Sequence, residues 1–157
     1  ITRMRYTQDS ATPSAHAMAL LALTRIGRLT ANPTYSEMVL ESLKNFTELM
    51  KSYPSSMGQT LIVLDSIMNA PSEIVLFAGE SKREFESTLK LIRESYHPNR
   101  LVVLAPKQEA VPASLKTMLE GKTRIDSKTT VYVCRNFSCQ APVTGVESIS
   151  KILERGG

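Results

Sequence analysis

A change of rhythm at Pro71 limits what this chain can fold into more than any other feature. Before it, apolar residues recur at helical spacing. After it come three short apolar runs, Glu73-Ile-Val-Leu-Phe-Ala-Gly79, Arg100-Leu-Val-Val-Leu-Ala105 and Thr129-Thr-Val-Tyr-Val-Cys134, separated by helical stretches. Runs this short and continuous fit strands buried on both faces. Strands alternating with helices over short connections form parallel sheets through right-handed crossovers. Ser81-Lys-Arg-Glu84 and Thr144-Gly-Val-Glu147 are capping boxes that open helices after the first and third runs, and residues 112–120 form a short helix stopped by Gly121. The expected fold class is therefore α/β: a helical segment over residues 1–70, then a three-stranded parallel βαβαβα unit over residues 71–157. The first run is the most apolar and the third carries the most hydroxyls, so the expected strand order is 2-1-3.

The first 70 residues read as helices joined at prolines. Thr12-Pro13 is a good opening, with a hydroxyl to cap and a proline at the first helical position. The helix that follows is apolar over much of its circumference to about Leu23 and ends at Asn32-Pro33. Thr34-Tyr-Ser-Glu37 is a capping box for a second helix, whose stripe is Tyr35, Val39, Leu43, Phe46 and Met50. A third, over residues 57–68, is almost wholly apolar and is expected to be buried. Three helices with short connections look like part of an antiparallel helical array.

At 157 residues, 42% of them hydrophobic, the chain can bury a real core. Its net charge of +4 is spread among 19 basic and 15 acidic residues. The densest basic spots, Arg3/Arg5, Lys82/Arg83 and Lys122/Arg124, are only pairs. A nucleic-acid footprint needs clustering on one face, so no nucleic-acid partner is expected. No apolar run reaches the roughly 18 residues of a membrane span, and none is expected. The polar, irregular start at Ile1 reads as a piece cut from something longer, whose partner is the remainder of a parent chain. Two cysteines do not make a secreted disulfide framework, and the expected setting is cytoplasmic.

Candidate sites follow from the expected topology. Ligands of an open parallel sheet sit beyond the carboxyl ends of the strands, at the point where strand order reverses. The loops there are Gly79-Glu80-Ser81, Pro106-Lys107-Gln108 and residues 135–144, which places Phe137 and Pro142 beside Gly79 at a switch point. Cys134 and Cys139, with four residues between them, lie at that edge. Three readings of the pair stand open. They are packed thiols; they form a reversible disulfide if the loop doubles back; or they ligate zinc, which needs further ligands that His16 and His97 do not supply at any motif spacing. A second candidate is the polar cluster Asp9, Ser14 and His16 at the start of the first helix, either plain capping or the lining of a cavity at one end of a helical barrel. No Gly-rich phosphate loop, Gly-x-Ser-x-Gly elbow or His-Glu-x-x-His motif occurs, so no cofactor and no metal are called for.

Two segments together carry a resemblance. Asp9-Ser-Ala-Thr-Pro-Ser14, with the apolar helix and Arg25-Ile-Gly-Arg-Leu-Thr30 after it, resembles the late helical region of the spermatogenesis-associated, thioredoxin-like-domain protein family. The likeness continues through Pro71-Ser-Glu-Ile-Val-Leu and Tyr96-His-Pro-Asn99. It ends in Cys134-Arg-Asn-Phe-Ser-Cys-Gln-Ala-Pro142, similar to the family's terminal Cys-x4-Cys-x2-Pro signature. Matching positions are Asp9, Pro13 and Ser14, then Cys134, Phe137, Cys139 and Pro142. Ala15-His16 stands where the family commonly has Gly-Asn, which puts any role of that Asn in doubt. The resemblance implies the C-terminal portion of a longer protein with a thioredoxin-like domain and a six-hairpin (α/α) toroid, and this chain would hold the last toroid helices and the α/β unit. It also implies thiol-redox or carbohydrate-related chemistry for the parent, with the fragment inactive alone. Three functions follow as expectations: a structural or redox-responsive cysteine pair; the cavity wall of an epimerase-like enzyme, with Asp9, Ser14 and His16 facing the cavity; or a non-catalytic interaction module that self-associates through exposed toroid helices.

Overall fold

The structure, a computed structural model, describes residues 6–69, 71–94, 96–105, 112–136 and 138–155. It divides into two compact units, residues 1–69 and 70–157.

The first unit is helical. Its elements are α1 (Ala15–Thr30), α2 (Pro33–Asn45), the short α3 (Thr47–Ser52) and α4 (Gly58–Met68). α1 opens two residues later than Thr12-Pro13 suggests. Ser14, in extended conformation, is the cap, and its Oγ accepts from the Ala17 N–H at 3.2 Å. At the other end Ala31 takes a left-handed conformation (φ 51°), and the Asn32 N–H returns to the Gly27 carbonyl at 3.1 Å. Asn32 then caps α2 by accepting from the Thr34 N–H at 3.1 Å, with Pro33 in the first helical position. The Thr34 box is therefore two residues too late as a start signal, because Asn32 reaches the orphan N–H first.

Leu20 of α1, Val39 and Leu43 of α2 and Val63 of α4 form the centre of this unit, with Leu21, Leu23, Leu64 and Ile67 packed around them. α1 and α2 approach closely at Gly27, where an added Cβ would lie 3.1 Å from the Cβ of Tyr35. The expectation that α4 is wholly buried is corrected: Ile62 and Met68 are 50% and 74% exposed. Met18 and Ile26 of α1 and Met38 and Leu40 of α2 are exposed as well. Each long helix thus buries one face and leaves other apolar side chains in solvent.

The second unit is a sheet of β1 (Glu73–Phe77), β2 (Leu101–Ala105), β3 (Thr130–Arg135), β4 (Ser138–Cys139) and β5 (Val143–Thr144), with α5 (Lys82–Glu94), α6 (Lys116–Leu119) and α7 (Val146–Arg155). The order is β2-β1-β3-β4, with β5 also on β3, so the 2-1-3 arrangement holds with the first strand central. β1 and β2 are parallel, joined through α5 as a crossover. Ser81 caps α5, its Oγ accepting from the Glu84 N–H at 3.3 Å.

The third strand is not parallel. β3 runs antiparallel to β1, with Glu73 opposite Cys134 and Phe77 opposite Thr130. The connection before it differs from the first crossover. Between β2 and β3 the described helical structure is a single 3-10 turn (Ala113–Leu115) and the four residues of α6. Among the described residues this connection has no crossover helix comparable to α5: α6 spans roughly 6 Å, against about 17 Å for a five-residue strand. The chain re-enters the sheet from the end it left, through a turn at Asp126 and Ser127, both with positive φ. β2 also departs from the expected strand buried on both faces. As an edge strand it alternates, with Val102 and Leu104 40% and 49% exposed.

Cys134 pairs with Cys139, whereas Val131 pairs with Val143. The pairing sum shifts by one residue between β4 and β5, which is a β-bulge on the returning strand. Pro142 sits in that bulge, where a missing N–H breaks no ladder bond. Ile74 and Leu76 of β1, Val131 and Val133 of β3, Ile92 of α5 and Ile149, Ile152 and Leu153 of α7 form the core on one face of the sheet. Glu73, Val75, Tyr132 and Cys134 point to the other.

Candidate functional site

The antiparallel β3 moves the cysteines. Cys134 lies opposite Glu73, at the amino end of β1, while Gly79-Glu80-Ser81 follows its carboxyl end. The expected switch point that joined them does not exist, and the two loops lie at opposite edges of the sheet. Phe137 and the Pro106-Lys107-Gln108 loop fall outside the described residues.

At the cysteine edge the chain reverses at Asn136 (φ 51°), a residue type that tolerates the left-handed region. The Gln140 N–H donates to the Val133 carbonyl at 3.0 Å, marking a hydrogen-bonded pair. One residue nearer the turn, Cys134 and Cys139 occupy the intervening non-hydrogen-bonded position, where side chains of an antiparallel pair come closest. Their Cα atoms are 3.9 Å apart and their sulfurs are bonded at 2.09 Å. The doubled-back loop is thus a hairpin whose register juxtaposes the two side chains. Cys134 is 2% exposed, whereas Cys139 lies in solvent. Across the other edge of β3, Glu73 faces Cys134 from the directly opposed position and is 1% exposed. Glu73 had no signal in sequence beyond opening an apolar run. Only the strand direction brings it to the cysteine.

The polar cluster of the first helix has a different architecture. The Asp9 carboxylate bridges two helix starts: Oδ1 accepts from the Ser14 N–H and Oδ2 from the Gln59 N–H, both at 2.7 Å. The Asp9 N–H donates to the Ser56 carbonyl, also at 2.7 Å. Burial raises the Asp9 pKa, but the N–H groups of Ser14 and Gln59 and the Ser14 side chain more than offset it, holding the group below its ordinary value of 3.8. His16 turns elsewhere, with Nε2 3.0 Å from Ser42 Oγ and its ring 4.7 Å from that of Phe46. Asp9 and Ser14 are brought together; His16 is tied to α2. The carboxylate oxygens are spent on backbone N–H groups, which is capping chemistry.

Gly79 is a packing site. A Cβ there would meet the Thr129 nitrogen at 2.4 Å and the Lys128 carbonyl carbon at 2.6 Å. Glu80 and Ser81 are exposed beside it, and the Glu80 N–H donates to the Ser127 carbonyl at 2.9 Å. Burial, and then the charge of Arg100, lowers the pKa of His97 in the turn before β2. Among the described residues no group of three or more His, Cys, Asp or Glu is placed to hold a metal ion, and no helix is long and apolar enough to cross a membrane.

Comparison with known proteins gives one consistent result. The chain is 24% identical over 157 residues to spermatogenesis-associated protein 20 of Rattus norvegicus, a match covering 98% of this chain and 20% of that protein. The Homo sapiens protein of the same name is 24% identical over 155 residues, covering 96% and 19%. An uncharacterized protein of Caenorhabditis elegans is 23% identical over 156 residues, covering 98% and 21%. The chain therefore spans about one fifth of the length of the curated relatives it matches. No protein-family model matches it, and no solved structure matches it significantly.

Proposed function

We propose that this chain, a relative of spermatogenesis-associated protein 20 over nearly its whole length, is the C-terminal module of a longer protein and carries a redox-responsive disulfide. The observation behind this reading is the Cys134–Cys139 bond across an exposed hairpin, with one sulfur-bearing residue in solvent. In a cytoplasmic setting, disulfides are usually transient and tied to redox state. A bond that a soluble thiol can reach fits that pattern better than a permanent staple. The family resemblance adds a thioredoxin-like domain in the parent chain, a natural source of thiol chemistry.

Thiol titration tests the reading. The chain prepared without reductant should show no free thiol, show two after mild reduction, and lose both again on mild oxidation. Two thiols that resist mild oxidant would remove the redox role.

The helical unit supports a companion role in assembly. Met18, Ile26, Met38, Leu40, Ile62 and Met68 are apolar and exposed, as expected of toroid helices that pack against further helices of a parent chain. Sedimentation at several concentrations tests it: self-association of the isolated chain is expected, and a strict monomer at all concentrations would count against it. The cavity-wall reading gains no comparable support, since both Asp9 oxygens are engaged in capping.

A further inference from the structure

The disulfide is asymmetric: Cys134 is buried and Cys139 is exposed. Thiol–disulfide exchange is an in-line displacement in which the incoming thiolate approaches the attacked sulfur from the side opposite the sulfur that leaves, so both access and approach direction matter. In this hairpin the bond runs across the ladder from β3 to β4. Attack on Cys134 requires an approach from the β1 side. There the directly opposed residue is Glu73, 1% exposed, and Cys134 itself is 2% exposed. The approach to Cys139 comes from beyond β4, the last strand on that side of the sheet, where Ser138, Cys139 and Gln140 are all exposed.

We propose that Cys139 is the entry sulfur for an external thiol and that Cys134 is the leaving and resolving sulfur, a polarity that rests on the redox reading above. The partner is a dithiol of a protein or a small molecule. One of its thiolates attacks the Cys139 sulfur, forming a mixed disulfide, and the Cys134–Cys139 bond breaks. The electron pair goes to the Cys134 sulfur, which takes a proton from solvent as the hairpin opens. The partner's second thiolate then attacks its own sulfur in the mixed disulfide and releases Cys139 as a thiolate. The balance is one dithiol oxidised to a disulfide and one disulfide reduced to two thiols. With a monothiol the first step stops at the mixed disulfide, and the Cys134 thiol either reverses it or is trapped.

Leaving-group chemistry alone favours the other direction. A thiolate released into a buried position beside a carboxyl side chain is poorly solvated, and a poorly stabilised thiolate leaves slowly. The site therefore sets access against leaving ability. Access prevails because a blocked trajectory removes the competing reaction altogether, whereas poor leaving ability only slows the open one.

The test uses the oxidised 157-residue chain and reduced glutathione as a monothiol probe. The reaction is quenched at short times with N-ethylmaleimide and mapped by peptide mass spectrometry. Glutathione is expected on Cys139 with maleimide on Cys134, in about tenfold or greater excess over the reverse. An even split, or glutathione on Cys134, overturns the assignment while leaving the bond reducible. A bond that millimolar glutathione does not open at all removes the redox-responsive reading itself, and this polarity with it. The two failures leave different products and are told apart in one experiment.

Discussion

Removing the Asp9 carboxylate should loosen two helices that are far apart in sequence. Asp9 accepts from the N–H groups of Ser14 and Gln59 at 2.7 Å each, distances typical of charge-assisted bonds. Losing a cap costs about 0.5–2 kcal/mol, and a hydrogen bond to a charged group contributes about 1.5–3 kcal/mol. Both bonds are only partly buried, so water recovers part of each. Asp9→Ala should therefore cost about 2–3 kcal/mol, with Ser14, itself buried, bearing more of the loss than Gln59. Asp9→Asn keeps the shape and one acceptor oxygen, and should cost about half as much. Urea unfolding followed by far-UV circular dichroism gives both values. The charge can be isolated by pH. The folded pKa of Asp9 lies below its unfolded value, so just below pH 4 the unfolded state binds more protons, and stability falls as pH drops through the folded pKa. The gap between wild type and Asp9→Asn should be full at neutral pH and shrink in that acid window. An Asp9→Ala cost under about 0.5 kcal/mol would mean that water satisfies both N–H groups, and the bridging role would be wrong.

Other substitutions test the sheet unit. Gly79→Ala drives a methyl group into the backbone of Lys128 and Thr129 and should cost about 3 kcal/mol or more by urea unfolding, since backbone yields less than a side chain. Tyr132 both donates to the Thr123 carbonyl at 2.9 Å and accepts from the Thr123 N–H at 3.0 Å, so Tyr132→Phe should cost about 1–3 kcal/mol in the same assay. Ile149, fully buried between α7 and the sheet, should cost about 2–5 kcal/mol on truncation to Ala, read as a drop in the thermal midpoint.

Strand and helix positions were largely legible because burial writes itself into periodicity. Direction was not. An apolar run such as Val131-Tyr-Val133 reads the same whichever way it enters a sheet, and only the connection decides. The segment between Ala105 and Thr130 is long enough to run back in either direction, so its length carried no such signal. The cysteines were visible as a pair, but their pairing depends on a turn at Asn136 that lacks the Asn-Gly signature of a tight hairpin. Asp9 was visible as part of a polar cluster at a helix start. Its second partner, Gln59, lies 50 residues away, and no local pattern carries that information.

The hairpin and the sheet differ in how much chain they must gather. Glu73 and Cys134 meet across 61 intervening steps of sequence, whereas Cys134 and Cys139 are 5 apart. Closing so short a loop removes little freedom from the unfolded chain, about 2 kcal/mol by the chain-entropy relation. The hairpin can form early and locally; the β1–β3 ladder must wait for distant segments to meet. A cross-link over a long loop would contribute more by the same relation, so less of the fold's stability rests on this one. If the bond opens as proposed, the loop released is only the five-residue hairpin step, and the β1–β3 ladder behind it keeps its own pairing.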